Sequence, residues 1–265
     1  MVFQSPGDVL FHIGKTPIYF YGVIMAIACL SGVAVVYKLF KQIAPDKDAD
    51  KIFDIAAYVL IFGFIGARLY YCLLNPIYYF YNPLEIFNFR EGGLSIHGGL
   101  IGGSLTLIYL CKKYKLSTLS ILDIFACATP LAQSIGRWGN FFNSEAFGSP
   151  TNLPWKLYIP LSHRPEQYMD YQYFHPTFLY GSVIDILIFI VMLRILNRFA
   201  QKYPGFTFCS YIIIYSTARL IIESIRVDSA LSISGIPIAK IVSVILIIAG
   251  LIGIISIIKK NCEQI

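Results

Sequence analysis

The residue types best suited to chemistry are gathered in one short run, Gly136-Arg137-Trp138-Gly139-Asn140-Phe141-Phe142-Asn143-Ser144-Glu145-Ala146-Phe147-Gly148. It directly follows an apolar segment, so it lies at or near a membrane surface. One Arg, two Asn and one Glu stand between glycines. A guanidinium offers a planar fork of donors that fits a phosphate. Glycine lets backbone approach a ligand closely, and Asn and Glu can hold the fork or read hydroxyls. The competing reading is a polar helix end with an interfacial Arg anchor.

Other polar residues fall inside or at the ends of apolar segments. Tyr215, Arg219 and Glu223 recur every four residues and share one helix face. An Arg–Glu pair is one way to bury charge in a span, and such pairs usually face an interior cavity. His97 sits among the glycines of Gly92-Gly93-Leu94-Ser95-Ile96-His97-Gly98-Gly99-Leu100-Ile101-Gly102-Gly103. There it can titrate near neutral pH and act as a base, or serve as a structural hydrogen-bonder. The spacings Gly98-x-x-x-Gly102 and Gly99-x-x-x-Gly103 allow close helix packing. Arg68 can snorkel from near a span end or take part in function. Tyr21-Gly22 and His175-Pro176-Thr177 complete the set. There is no GxSxG elbow, HExxH, Walker loop or Cys/His metal spacing. The pattern is cationic donors plus a candidate base, suited to an anionic headgroup and a departing phosphate. It calls for neither a metal nor a cofactor.

The elements that must position these residues are membrane helices. Of 265 residues, 57% are hydrophobic and only 14% charged, with mean hydropathy +0.66. Soluble domains carry about 25% charged residues. The net charge of +6 comes from short Lys/Arg clusters between apolar runs, which is no nucleic-acid signature. The six cysteines lack CxxC spacing. Apolar runs cover 17–37, 52–74, 94–111, 117–136, 177–197, 206–225 and 237–258, each near the ~20 residues that cross the hydrocarbon core. Backbone facing lipid must be internally paired, so the expectation is an all-α polytopic protein of about seven spans. Lys38, Lys41, Lys47 and Lys51 follow the first run, Lys112, Lys113 and Lys115 the third, Arg194, Arg198 and Lys202 the fifth, Lys259 and Lys260 the seventh. The alternate loops carry far fewer: Lys15, Arg90, Lys156, Arg164 and Arg226. The positive-inside rule then puts the N-terminus outside and the C-terminus in the cytoplasm. A single integral membrane domain, 1–265, is expected, with external loops at about 75–93 and 137–175 forming a small aromatic-rich cap. The polar residues then gather at the external ends of their spans.

The run Gly136-Arg137-x-Gly139-Asn140-Phe141-x-Asn143-x-Glu145-x-x-Gly148 resembles the signature of the bacterial prolipoprotein diacylglyceryl transferases. Gly93-Leu94-Ser95-Ile96-His97-Gly98-Gly99-Leu100 resembles that family's His-Gly-Gly region, and Tyr21-Gly22, Gly66-Ala67-Arg68, His175-Pro176-Thr177 and Arg219 with Glu223 follow in order. The resemblance implies a seven-span bacterial inner-membrane enzyme with its site towards the periplasm and no cofactor. It would move the diacylglyceryl group of phosphatidylglycerol to the lipobox Cys thiol of a prolipoprotein signal peptide, making a thioether and releasing glycerol 1-phosphate. Its partners would be these two substrates and membrane lipid, not nucleic acid. By the same resemblance, Arg137 and Arg219 bind phosphate and His97 acts on the thiol. Tyr21, Asn140, Asn143, Glu145, Gly148, Tyr215 and Glu223 become substrate-binding or supporting positions. One position departs from the pattern: Gly181 follows Tyr180 where the family often shows Glu. Two other readings compete. A retinal-type sensor would rest on Lys240, which lies at the start of its span and not at mid-depth. An anion transporter would be expected to show an inverted repeat, and none is visible.

Overall fold

The computed structural model describes residues 2–89, 92–227, 232–233 and 235–263. Arg90, one of the expected outer-loop cations, lies outside the described residues. The protein is a mostly helical, multi-pass membrane protein. Its helices are α1 (Phe20–Ile43), α2 (Ala49–Leu74), α3 (Pro76–Tyr81), α4 (Ile96–Lys113), α5 (Thr118–Phe142), α6 (Thr177–Phe199), α7 (Phe206–Glu223) and α8 (Ile238–Cys262). Six of these, α1, α2, α5, α6, α7 and α8, are long and apolar enough to cross a membrane. The third expected span is also a helix, α4, but it has only 18 residues and is not among those six. Glycines, His97 and two terminal lysines dilute its apolar content. The external segment expected from 137 starts later: α5 runs on to Phe142, so Arg137 and Asn140 are helical. The glycines at 136 and 139 lower helix propensity without breaking the hydrogen-bond ladder, as proline would. The segment 75–93 contains the short helix α3.

The chain divides into two compact units, Met1–Gly32 with Asp123–Ile265, and Val33–Leu122. In the second unit α2 and α4 pack through glycine. A Cβ at Gly66 would stand 2.5 Å from the Gly98 carbonyl oxygen and 3.2 Å from Gly102 Cα. A Cβ at Gly102 would stand 2.5 Å from the Phe62 carbonyl oxygen. Side chains at these points would hold the helices apart. Arg68, only 3% exposed, gathers the following loop. Its Nε donates to the Ile86 carbonyl at 2.9 Å, Nη1 to Gly92 and Gly93 at 2.8 and 3.0 Å, and Nη2 to Glu85 and Asn88 at 2.5 and 2.8 Å.

In the first unit, α6 packs on α7 and α7 on α8. The start of α7 is capped from another helix. The buried Asp123 of α5 accepts hydrogen bonds from the Gly205 and Phe208 amides at 2.6 and 2.8 Å, pairing amides that the helix itself leaves free. Gly205 turns with φ +95°, a conformation natural to glycine. Ser134 of α5 and Ser182 of α6 each donate to the other's carbonyl, at 2.9 and 3.0 Å. The cap is a small sheet in which β1 (Phe3–Gln4) runs parallel to β4 (Leu157–Tyr158), and β4 antiparallel to β5 (Tyr173–Phe174). Phe147, Leu157, Ile159, Phe174 and Phe178 form its buried core. A hairpin of β2 (Val9–Ile13) and β3 (Thr16–Tyr19) precedes α1, and β6 (Ser232–Ile233) pairs with β7 (Ile236–Pro237) ahead of α8. These strands, of two to five residues, were not expected from the apolar pattern.

Candidate functional site

The signature run begins as the last turns of α5 and then folds back on itself. The Ser144 amide donates to the Phe141 carbonyl at 3.2 Å and the Glu145 amide to the Asn140 carbonyl at 3.0 Å. Ser144 and Ala146 hold φ of +53° and +55°. Left-handed backbone at two non-glycine residues persists only where its surroundings enforce it. Here Thr177 Oγ1 donates to the Ala146 carbonyl, and the Gly148 amide to the His175 carbonyl at 2.9 Å. The Ser149 amide donates to the Ile225 carbonyl at 2.9 Å, and the His175 amide back to Ser149 at 3.0 Å. A Cβ at Gly148 would meet His175, Ile225 and Thr177 at 2.8 to 3.0 Å. Gly148 thus joins the end of α5 to the start of α6 and the end of α7.

Three helices bring charge to this place. On α5, Arg137 Nε donates to Asp185 Oδ2 of α6. Its side chain is 14% exposed and that of Asp185 1%. Neither Nη of Arg137 has a protein acceptor among the described residues. On α7, Arg219 Nη2 pairs with Glu223 Oε2 at 2.8 Å, the i, i+4 contact expected from spacing. Arg219 interacts electrostatically with Arg137, Arg226 and Tyr215, and Asp185 with both Arg137 and Arg219. Two guanidiniums therefore lie within range of one another, each held by a buried carboxylate. Tyr215 stacks on Tyr211, ring centroids 5.6 Å apart. Tyr211 in turn donates to Gln133 Oε1 at 3.0 Å, tying α7 to α5.

The first helix reaches the same group. A Cβ on Gly139 would lie 2.7 Å from the Tyr21 ring, so the bare glycine lets that ring settle on α5. Glu145 interacts electrostatically with Tyr21, and Asn143 Nδ2 donates to Glu145 Oε1 at 3.3 Å. Beside Gly148, Trp155 Nε1 donates to Tyr180 Oη at 2.9 Å, and Tyr180 Oη lies 3.2 Å from His175 Nδ1. Burial lowers the His175 pKa from its ordinary value of 6.5, favouring the neutral ring. The indole can only donate to Tyr180, and the imidazole tautomer sets which of Tyr180 and His175 donates in the second contact.

Residues 8–256 match the family model described as prolipoprotein diacylglyceryl transferase. The chain belongs to that family. A Prochlorococcus marinus (strain MIT 9301) protein named phosphatidylglycerol–prolipoprotein diacylglyceryl transferase is 41% identical over 95% of this chain and 92% of its own. A Nostoc relative of the same name is 41% identical over 96% and 90%, and a Synechocystis relative 40% identical over 96% and 90%.

Of the candidate residues of this diacylglyceryl transferase family member, Tyr21, Arg137, Asn140, Asn143, Glu145, Gly148, Tyr215, Arg219 and Glu223 all lie in the first unit. His97 lies in the second. It is exposed on the first turn of α4, its ring centroid 6.1 Å from that of Tyr70. Arg68, for which a structural and a functional reading competed, has each guanidinium nitrogen hydrogen-bonded to loop carbonyls. Sequence reasoning missed Asp185. It stands 48 positions from Arg137 in an apolar run. An isolated acid in a span was the available signal, since such residues rarely lack a partner.

Proposed function

We propose that the protein transfers the diacylglyceryl group of phosphatidylglycerol to the lipobox Cys thiol of a prolipoprotein, the first step of lipoprotein maturation. The sulfur forms a bond to the terminal glyceryl carbon, and the bond from that carbon to the phosphate oxygen breaks. The electron pair leaves on the phosphate, which departs as glycerol 1-phosphate with one more negative charge than the diester carried. The thiol must lose its proton to attack, and His97 is the base assigned to it. Arg137 and Arg219 hold the phosphate and offset the charge that grows on it. Tyr21, Asn140, Asn143, Glu145, Tyr215 and Glu223 hold the headgroup or the arginines, and Gly148 keeps the loop close. No nucleophile from the enzyme is required, because the acceptor peptide supplies it.

The observation that carries this reading is the pair of arginines on α5 and α7, each anchored through one nitrogen by a buried acid. We further propose that the two units act as one integral domain, 1–265, in the bacterial inner membrane. In this reading the chain crosses seven times, α4 included, with the N-terminus and the site outside and the lysine-rich ends in the cytoplasm, as the positive-inside rule supports.

The test is a transfer assay. Purified protein, phosphatidylglycerol and a lipobox peptide are combined and the peptide mass is read. The expected result is a gain of one diacylglyceryl group that vanishes when the peptide Cys is replaced by Ser. Folded protein with lipid present and no gain would overturn the proposal and favour an anion-binding or transport site. His97→Gln is expected to abolish transfer; retained activity would make His97 structural.

A further inference from the structure

Gly181 and Asp185 stand one turn apart on α6, so they share a face. That face carries the Arg137 side chain. A Cβ built on Gly181 would lie 2.5 Å from Arg137 Nε and 2.6 Å from both its Cδ and Cζ. The guanidinium therefore rests in a notch that only glycine leaves open. At the end of the notch Asp185, 1% exposed, accepts the Nε hydrogen. Nε is the one guanidinium nitrogen that carries a single hydrogen. Anchoring there fixes the plane of the group and leaves both Nη nitrogens in line, the edge that meets a phosphate bidentately.

We propose that Asp185 is a positioning residue, which with the notch at Gly181 aims the Nη edge of Arg137 at the phosphate of the lipid substrate. The inference rests on the assignment of Arg137 to that phosphate. In this chain the acid that orients Arg137 sits at 185, and the position one turn before it must be bare.

Four variants test it in the transfer assay, with thermal unfolding in detergent as the fold control. Asp185→Ala is expected to raise the KM for phosphatidylglycerol and to lower kcat/KM about tenfold or more, the loss of one charge-assisted contact. Asp185→Asn keeps the volume at 185 and leaves Gly181 bare but removes the charge, and is expected to lose about as much activity as Asp185→Ala. A purely space-filling role for Asp185 would instead leave Asp185→Asn near wild type. Gly181→Ala keeps the acid and favours the helix, so it is expected to fold while pushing Arg137 aside and losing activity about tenfold. It remains decisive if Asp185→Ala fails to fold. Full activity in Gly181→Ala, or in a folded Asp185→Ala, overturns the inference. Near-wild-type activity in Asp185→Asn does the same. Arg137→Ala separates the two levels. If it is inactive while Asp185→Ala is fully active, the positioning role fails and the phosphate assignment stands. If Arg137→Ala is itself fully active, the phosphate assignment fails.

Discussion

Arg68 and Arg137 are both arginines near the ends of apolar helices, and the protein treats them in opposite ways. Arg68 makes five hydrogen bonds to five backbone carbonyls of the loop that follows α2. Arg137 has one nitrogen held by Asp185 and two with no acceptor among the described residues. A guanidinium has five N–H donors, so the first is saturated by its own chain and has none left for a ligand. The second is oriented and still has donors to give. Burial does not separate them, since the Arg137 side chain is only 14% exposed. What separates them is how many donors the protein consumes, and what consumes them: neutral carbonyls build a loop, whereas one acid fixes a plane.

Substitutions at the two arginines should therefore fail differently. Arg137→Ala is expected to reduce transfer by about a hundred- to a thousandfold, the scale of losing one donor to a developing oxyanion. Unfolding in detergent should still be cooperative. Arg219→Ala should approach the same loss, and an activity near wild type in either variant would break the comparison at its functional end. Arg68→Ala removes the shared donor from five carbonyls of a part-buried loop, and is expected to destabilise the second unit by several kcal/mol. Hydrogen exchange should show residues 85–89 and 92–93 losing protection. If that loop stays protected while transfer alone collapses, Arg68 belongs with Arg137 and the distinction is wrong.

A smaller effect is expected where α2 meets α4. Gly98→Ala places a methyl group against the Gly66 backbone, and overpacking of this kind costs about 1–3 kcal/mol. A lower unfolding temperature with the same lipid dependence would keep the effect on the structural side of the comparison.

The least effect concerns pH. Burial lowers the His175 pKa below its ordinary 6.5. As pH falls through that ordinary value, the unfolded chain takes up a proton that the folded ring resists, so stability is present above it and declines below it. Unfolding temperatures from about pH 7.5 down to about pH 5.5 should fall slightly more for wild type than for His175→Gln. Equal slopes would show that His175 is too solvated to matter.

Much of the fold was legible in hydropathy. Each of the seven apolar runs contains a helix, because a helix pairs its own backbone away from water. The ends were less legible. α5 continues through Arg137 to Phe142, and local composition did not reveal it because the face towards α6 accepts a charge only by meeting Asp185. The pairing of Arg219 with Glu223 was visible as a four-residue spacing. That of Arg137 with Asp185 was not, since it crosses 48 residues. The glycines at 98 and 102 announced close packing by their spacing. Gly139 and Gly181 are isolated, and only three-dimensional packing shows that they make room for Tyr21 and Arg137. The saturation of Arg68 was equally hidden, because backbone carbonyls leave no mark in a sequence.

In the proposed mechanism Arg137 presents free donors to a lipid phosphate. The most direct measurement compares thermal stabilisation of wild type and Arg137→Ala by phosphatidylglycerol and by diacylglycerol, which has the same chains and no phosphate. Phosphatidylglycerol is expected to stabilise wild type well beyond diacylglycerol, and this difference is expected to disappear in Arg137→Ala. An equal phosphatidylglycerol response in both proteins would contradict it.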